Sequence, residues 1–338
     1  MWAMNRGLEV PVTGNGKGQD RSLPLNTDSP TRDDKPPALT HRALLYRDRE
    51  QLERAVRDFV QSAVQAREPV LALLPRVNLE WLPSALGELA SNVRFEDMSL
   101  AGRNPNLLLS LIQEWIDEHD GRARIISESV WPGRSYAEVT EGLRHEALLN
   151  LVLESRPTII LCPYDAENLD PEAVRGAELT HPQVIYGEGT PCPSRHYGDP
   201  EQLLVGRRWP LQAPPGSASE HPFEGDLAAL RRSVERDPAL RDLSSERRYD
   251  LVFAINEAVT NAVVHSDGKC RTRIWSDDGM VVSEVNSAAS LSDNLAGRRR
   301  PPLDATAGRG LWLINQVCDL VELRSGEDGT TLRMHVRV

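Results

Sequence analysis

Glu257, Asn261 and His265 stand four residues apart in the stretch Tyr249-Asp-Leu-Val-Phe-Ala-Ile-Asn-Glu-Ala-Val-Thr-Asn-Ala-Val-Val-His-Ser266. If the stretch is helical, that spacing stacks a carboxylate, an amide and an imidazole one turn above the next on a single ridge. A carboxylate can take a proton from an attacking hydroxyl. An amide oxygen one turn on can hold a Mg2+ that bridges phosphates, because hard cations want oxygen ligands and Mg2+ takes few of them from protein. The same residues also suit the wet side of an amphipathic helix, and the spacing alone does not separate the two readings.

The elements that would position this ridge are well signalled. Leu251, Ile255, Ala258, Val259, Ala262 and Val263 recur at helical spacing, and Ser244 or Ser245, ahead of Glu246-Arg-Arg, offers an N-cap. Beyond the turn signal Asp267-Gly268, the alternating segments Cys270 to Trp275 and Met280 to Val285 read as a β-hairpin around Ser276-Asp-Asp-Gly279. The aperiodic, polar stretch from Asn286 to Ala307 holds Arg298-Arg-Arg-Pro-Pro302 and reads as a mobile flap, its arginines solvated or in contact with phosphates. In Gly308-Arg-Gly-Leu-Trp-Leu-Ile-Asn-Gln-Val-Cys318 the glycines permit close backbone approach, and the helix opening near Leu311 presents free N–H groups to an anion. Strands at Leu320 to Arg324 and Thr331 to Val338, joined by Gly326-Glu-Asp-Gly329, close the chain.

This order of helix, hairpin, flap, Gly-x-Gly helix and hairpin resembles the GHKL ATPase (HATPase_c) fold over residues 219–338, and within it the small anti-sigma-factor serine/threonine kinases. Glu257, Asn261 and His265 match that family's N-box, Gly308-Arg-Gly-Leu311 its G2 box, and Gly329-Thr-Thr-Leu332 its last ATP-box. The resemblance implies an α+β sandwich that binds ATP and Mg2+. Glu257 would be the general base, and Asn261 and His265 would face the nucleotide, with Asn261 as the Mg2+ ligand. The backbone of Gly308, Arg309, Gly310 and Leu311 would cradle the phosphates, and Thr331 would lie near the adenine. A sigma factor and an anti-anti-sigma protein of the STAS type would be the partners.

One departure divides the reading. Where the family has Asp-x-Gly-x-Gly/Ala, with the Asp accepting from the adenine amino group, this chain has Asn286-Ser-Ala-Ala-Ser290. Asn286 keeps a carbonyl oxygen but loses the charge, and Ala288 replaces a glycine; a compromised polar contact of this kind weakens binding by about 1–3 kcal/mol. Two functions follow: a kinase that phosphorylates its partner, or a pseudokinase that sequesters a sigma factor or antagonist by surface contact. Within residues 219–338 only His221 precedes the N-box, in a Pro-flanked stretch, so autophosphorylation on histidine is not expected.

The chain has 338 residues, enough for two domains, and 40% hydrophobic residues supply two cores. A formal net charge of -11 argues against broad nucleic-acid binding. Cys162, Cys192, Cys270 and Cys318 show no C-x-x-C spacing, the apolar runs are too short for a bilayer, and no signal peptide is evident. A cytoplasmic protein without membrane contact is the expectation, with homodimerisation left open.

Residues 1–38 lack apolar periodicity and read as a disordered tail. From His41 the pattern alternates. A helix at Glu50 to Ala66 precedes a buried strand at Pro69 to Leu74; helices at Leu79 to Leu89, Asn106 to His119, Ala137 to Leu153 and Pro171 to Ala177 intervene between strands at Val93 to Asp97, Ala123 to Ser127 and Thr158 to Cys162. That rhythm predicts a parallel, doubly wound α/β sheet with helices on both faces. Asp97, Glu128 and Asp165 fall just past strand ends, where ligands bind in such sheets, though they also suit caps and turns.

This half, residues 39–186, resembles the MEDS domain, a bacterial sensory module, in Tyr46-Arg, Phe95-Glu-Asp-Met98, Gly102-Arg-Asn-Pro105, Glu128 with Trp131-Pro-Gly-Arg134, His145-Glu-Ala-Leu-Leu-Asn150, Cys162-Pro-Tyr-Asp165 and Thr180-His-Pro182. The resemblance implies a small-molecule or redox signal. Cys162 suits either a sensor thiol or a buried structural cysteine. Residues 187–218, rich in Pro and Gly, read as a semi-rigid linker.

Overall fold

A computed structural model describes residues 39–119, 122–205, 208–265, 269–302 and 308–338 of the protein. The expected tail, residues 1–38, lies outside the described residues.

The first half is built on strands β1 (Thr40–Tyr46), β2 (Val70–Leu74), β3 (Val93–Asp97), β4 (Arg124–Ser127), β5 (Ile159–Asp165), β6 (Gln183–Tyr186) and β7 (Cys192–Pro193), in the order β3-β2-β4-β5-β1-β6-β7. β1 to β6 run parallel and β7 adds an antiparallel edge to β6. β2 is buried along its whole length, as a central strand covered on both faces must be. On one face lie α1 (Arg49–Ala66), α2 (Arg76–Leu79) and α3 (Leu82–Leu86); on the other α4 (Met98–Ala101), α5 (Leu108–Glu118), α6 (Tyr136–Val152) and α7 (Pro171–Thr180). The single helix expected from Leu79 to Leu89 is broken, because Pro83 opens α3 and Gly87, at φ 62°, ends it. α6 starts in a Ser135/Glu138 capping box and is buried all round from Thr140 to Asn150.

Residues 187–218 hold β7 and one short helix. That helix, α8 (Pro200–Val205), inserts Leu203 and Leu204 into the α6 side of the core, where Trp209 joins them.

The second half is an antiparallel sheet of β8 (Ser219–Pro222), β9 (Cys270–Asp277), β10 (Met280–Ser287), β11 (Leu320–Gly326) and β12 (Gly329–Arg337), ordered β11-β12-β10-β9-β8. Helices α9 (Leu227–Glu235), α10 (Ser245–His265) and α11 (Gly310–Val317) pack on one face, their apolar residues meeting Ile274, Val281, Val285, Leu332, Met334 and Val336. The β9–β10 connection is tight: Asp277 pairs with Met280, and Asp278 and Gly279 both take positive φ, as a two-residue hairpin turn of the primed kind requires. No helix among the described residues is long and apolar enough to cross a membrane.

At the carboxyl edge of the parallel sheet, Asp97 accepts from Ser99 N and Asp165 from Glu167 N, which makes them cap and turn formers. Glu128 is sealed in. It accepts from the Tyr46 hydroxyl at 2.9 Å and from Asn78 Nδ2 at 2.7 Å, and burial pushes its carboxyl up to about 8. A raised carboxyl stabilises the fold fully below the ordinary value of 4.5, and that contribution is lost as pH climbs towards about 8. Glu128→Gln should therefore flatten the fall of Tm between these pH values, leaving the variant more stable than the wild type at pH 8. Parallel pH–Tm curves for the two proteins would refute the assignment.

Candidate functional site

α10 and α11 meet at Gly310. A Cβ placed there would lie 3.0 Å from Glu257 Oε2 and 3.0 Å from Asn261 Nδ2, so only glycine leaves both side chains in place at the start of α11. α11 has no side-chain N-cap, and Gly308 ahead of it takes φ +80°. The start of α11 thus lies where a carboxylate and an amide converge, and helix starts are where anions bind. Ser244 Oγ accepts from Arg247 N at the start of α10, and the apolar face of α10, from Leu251 to Ala262, holds the ridge of Glu257 and Asn261 against the sheet.

Beside this junction lies a cavity of about 660 Å³, within the range of small-molecule and cofactor sites. Asn261, His265, Gly308, Gly310 and Leu311 line it from the helices, Leu323 and Leu332 from the sheet, and Leu295, Arg299, Arg300 and Pro302 from the flap. Five expected site residues thus share one cavity, and Glu257 stands at its Gly310 end. Arg309 is the N-cap residue of α11, and its guanidinium donates to the Pro302 carbonyl, tying the flap to the helix.

The purine-side expectation needs correction. In β10 successive side chains alternate between faces. Val281 and Val285 join the helix-side core, so Ser287 shares their face, whereas Glu284 and Asn286 turn to the other. β12 repeats this, with Thr330 and Leu332 lining the cavity and Thr331 opposite. Asn286 Nδ2 donates to Thr331 Oγ1 at 2.8 Å on that far face, and Ala288 borders a separate open groove there with Asn286. The residues facing the cavity are Ser287, Ala289 and Thr330. The two-residue period of Val281, Ser283, Val285 and Ser287 was the signal that could have found them.

Arg299 and Arg300 are exposed, Arg300 pairing with Glu114 of α5 at 3.6 Å, whereas Arg298 is 4% exposed. Arg298 Nη2 donates to Glu141 Oε2 of α6 at 3.0 Å, and Arg324 Nη1 of β11 donates to Glu141 Oε1 at 2.6 Å. Burial alone would raise the Glu141 carboxyl, but Arg324, Arg144 and Arg298 together hold it below its ordinary value. Asn315 of α11 makes a second tie. Its Nδ2 donates to the Gly297 carbonyl of the flap, and its Oδ1 accepts from Asn104 and Asn106 of the first half, at 2.9 and 3.0 Å. Arg103, Asn104 and Asn106, clustered around the Gly102-Arg-Asn-Pro105 motif, thus read α11 and β11 directly.

Residues 40–182 match the family described as MEDS, "MEthanogen/methylotroph, DcmR Sensory domain". Residues 223–336 match the "Histidine kinase-like ATPase domain". The chain therefore carries a MEDS domain followed by a histidine kinase-like ATPase domain. It is also similar to an anti-sigma F factor of Pasteuria penetrans, 27% identical over 130 residues that make up 35% of this chain and 83% of that protein.

The flap tether has a measurable consequence. Arg298→Ala strips one guanidinium from a buried carboxylate, so amide exchange across residues 288–302 should accelerate and Tm should fall, by about 1–3 kcal/mol in stability because Arg324 and Arg144 remain. Arg299→Ala, at an exposed position, should change neither.

Proposed function

We propose that the chain is a sensor-controlled regulator of sigma-factor activity, in which the ATPase-like domain binds Mg2+-ATP and phosphorylates an anti-anti-sigma partner on serine or threonine. The observation that carries this reading is the convergence of Glu257 and Asn261 on Gly310 at the start of α11, beside the cavity. Glu257 takes the proton of the partner's hydroxyl, Asn261 offers its amide oxygen to Mg2+, and the N–H groups from Gly308 to Leu311 receive phosphate oxygens. The nucleotide, when bound, supplies the phosphoryl group and its Mg2+ neutralises charge on it, so the protein's part is positioning and electrostatics. At the purine end, Ser287 and Thr330 supply hydroxyls between the apolar walls of Val285, Leu323 and Leu332. The fit is adequate, with a neutral acceptor in place of a carboxylate.

That neutral position favours a second reading. Ser287 and Ala289 face the cavity where the family carries Asp and Gly, and a module with little nucleotide affinity would act by sequestering a sigma factor or its antagonist. In either case the MEDS domain would act through the flap and α11, which it holds by Glu141, Asn104 and Asn106.

Calorimetry of the full chain with Mg2+-ATP, and ADP as control, separates the two. Micromolar binding supports the kinase, and none at millimolar nucleotide supports sequestration. In the kinase case Glu257→Ala should abolish phosphate transfer with affinity nearly unchanged. Gly310→Ala should cost about tenfold or more in affinity without lowering Tm, since its Cβ displaces only the ends of two side chains. Transfer by Glu257→Ala at the wild-type rate would remove Glu257 from the role of base.

The purine side has its own test. Ser287→Asp with Ala289→Gly should raise ATP affinity by about tenfold, the effect of one restored charged hydrogen bond. The same pair of changes at Asn286 and Ala288, on the far face, should not.

A further inference from the structure

The nucleotide reading leaves unused a cluster buried in the MEDS domain. His41 of β1, Cys162 of the adjacent β5, Glu146 of α6 and His181, which caps the end of α7, come from four separate elements, and none is more than 1% exposed. His41 Nε2 lies 3.1 Å from Glu146 Oε2 and 3.3 Å from Cys162 Sγ, Cys162 Sγ lies 3.3 Å from Glu146 Oε2, and His181 Nε2 lies 3.6 Å from Glu146 Oε2. One ligand atom from each residue falls within 4.8 Å of all the others. We propose that these four side chains form a closed, tetrahedral site for one divalent metal ion of the zinc class.

The spacing fits such an ion. Metal–ligand bonds of about 2.0 to 2.3 Å arranged tetrahedrally place neighbouring ligand atoms about 3.3–3.6 Å apart; of the six ligand pairs, four run from 3.1 to 3.6 Å and the other two lie within 4.8 Å.

The hydrogen bonds behind the cluster turn its lone pairs inward. Asn150 Nδ2 donates to the carbonyls of Glu146 and Thr180, which fixes the amide and leaves Asn150 Oδ1 to accept from His41 Nδ1–H at 3.0 Å. His181 Nδ1 lies 2.8 Å from the Ala177 carbonyl, which can only accept, so the proton is on that nitrogen too. In both neutral rings Nε2 therefore carries a lone pair aimed at the carboxylate and the sulfur. His181 Nε2 has no hydrogen-bond partner among the described residues, although it is wholly buried. Ser129 Oγ donates to Glu146 Oε1 and presents Oε2 to the cluster. Pinning the far nitrogen of each imidazole and the far oxygen of the carboxylate is what the outer layer of a metal site does. Protonating one imidazole would pair it with the Glu146 carboxylate but leave the Nε2 lone pair of the other ring without a partner. A divalent cation satisfies all four donors at once.

Charge and donor type choose the ion. Two neutral imidazoles, one carboxylate and one thiolate cancel a charge of +2, as a site without water requires. A nitrogen and sulfur donor set excludes Mg2+ and Ca2+ and suits Zn2+. Binding releases the Cys162 thiol proton, so the balanced step is metal ion plus thiol giving metal thiolate plus one proton.

The full chain, grown with zinc and desalted, should retain about one Zn2+ by elemental mass spectrometry. Exchanged for Co2+, it should show visible bands of a tetrahedral ion and a near-ultraviolet thiolate-to-cobalt band. Cys162→Ser should abolish the thiolate band, and Cys192→Ser, in the same domain but bonded to the Val184 carbonyl, should keep it. A folded wild-type chain that retains less than about a tenth of an equivalent after zinc reconstitution, or a thiolate band that survives Cys162→Ser, overturns the proposal. Should Cys162→Ser fail to fold, zinc added to the metal-free wild type decides: release of about one proton per ion bound supports the site, and no binding refutes it.

Discussion

A carboxylate with no exposed surface, Glu141 of α6, is the interaction on which the arrangement of the two domains depends. Taking such a charge out of water costs several kcal/mol unless it is met by opposite charge in good geometry. Here Arg324 reaches it from the ATPase-like sheet, Arg298 from the flap and Arg144 from its own helix. The three guanidiniums are bound to one another's positions through this single group. The flap, β11 and α6 are thus joined at one buried carboxylate.

The same helix carries a second buried carboxylate. Glu146 lies five residues beyond Glu141, so α6 has one end of its charge at the interface and the other in the cluster of His41, Cys162 and His181. Burial on every side between Thr140 and Asn150 leaves α6 little freedom to adjust locally. Asn315 adds a separate tie, joining the Asn104 loop to α11 and the flap.

Within the ATPase-like domain, sheet alternation decides what the cavity can offer. One face of β10 and β12 is apolar towards α10 and ends in Ser287 and Thr330, while the other carries Glu284, Arg333, Asn286 and Thr331. A shift of one residue in register would exchange these sets, and burial of Val281, Val285 and Leu332 forbids it.

Local order was legible in the chain. The ridge of Glu257, Asn261 and His265, the alternation of the parallel-sheet segments and the glycines at 308 and 310 follow from periodicities of 3.6 and 2 and from the freedom of glycine, all of which act over a few residues. The register of Ser287 was also written in the spacing of Val281 and Val285, and a motif read by position alone passes over it. What the linear order could not disclose is which distant groups meet. Arg298 and Arg324 are 157 and 183 residues from Glu141, and His41 is 121 from Cys162. An Arg in a polar flap looks solvated, and a lone Cys ending an apolar strand looks inert, until packing removes the water and supplies the partner. Desolvation belongs to the folded core, so only tertiary structure could turn these side chains from surface charge and filler into an anchor and a cluster of converging lone pairs.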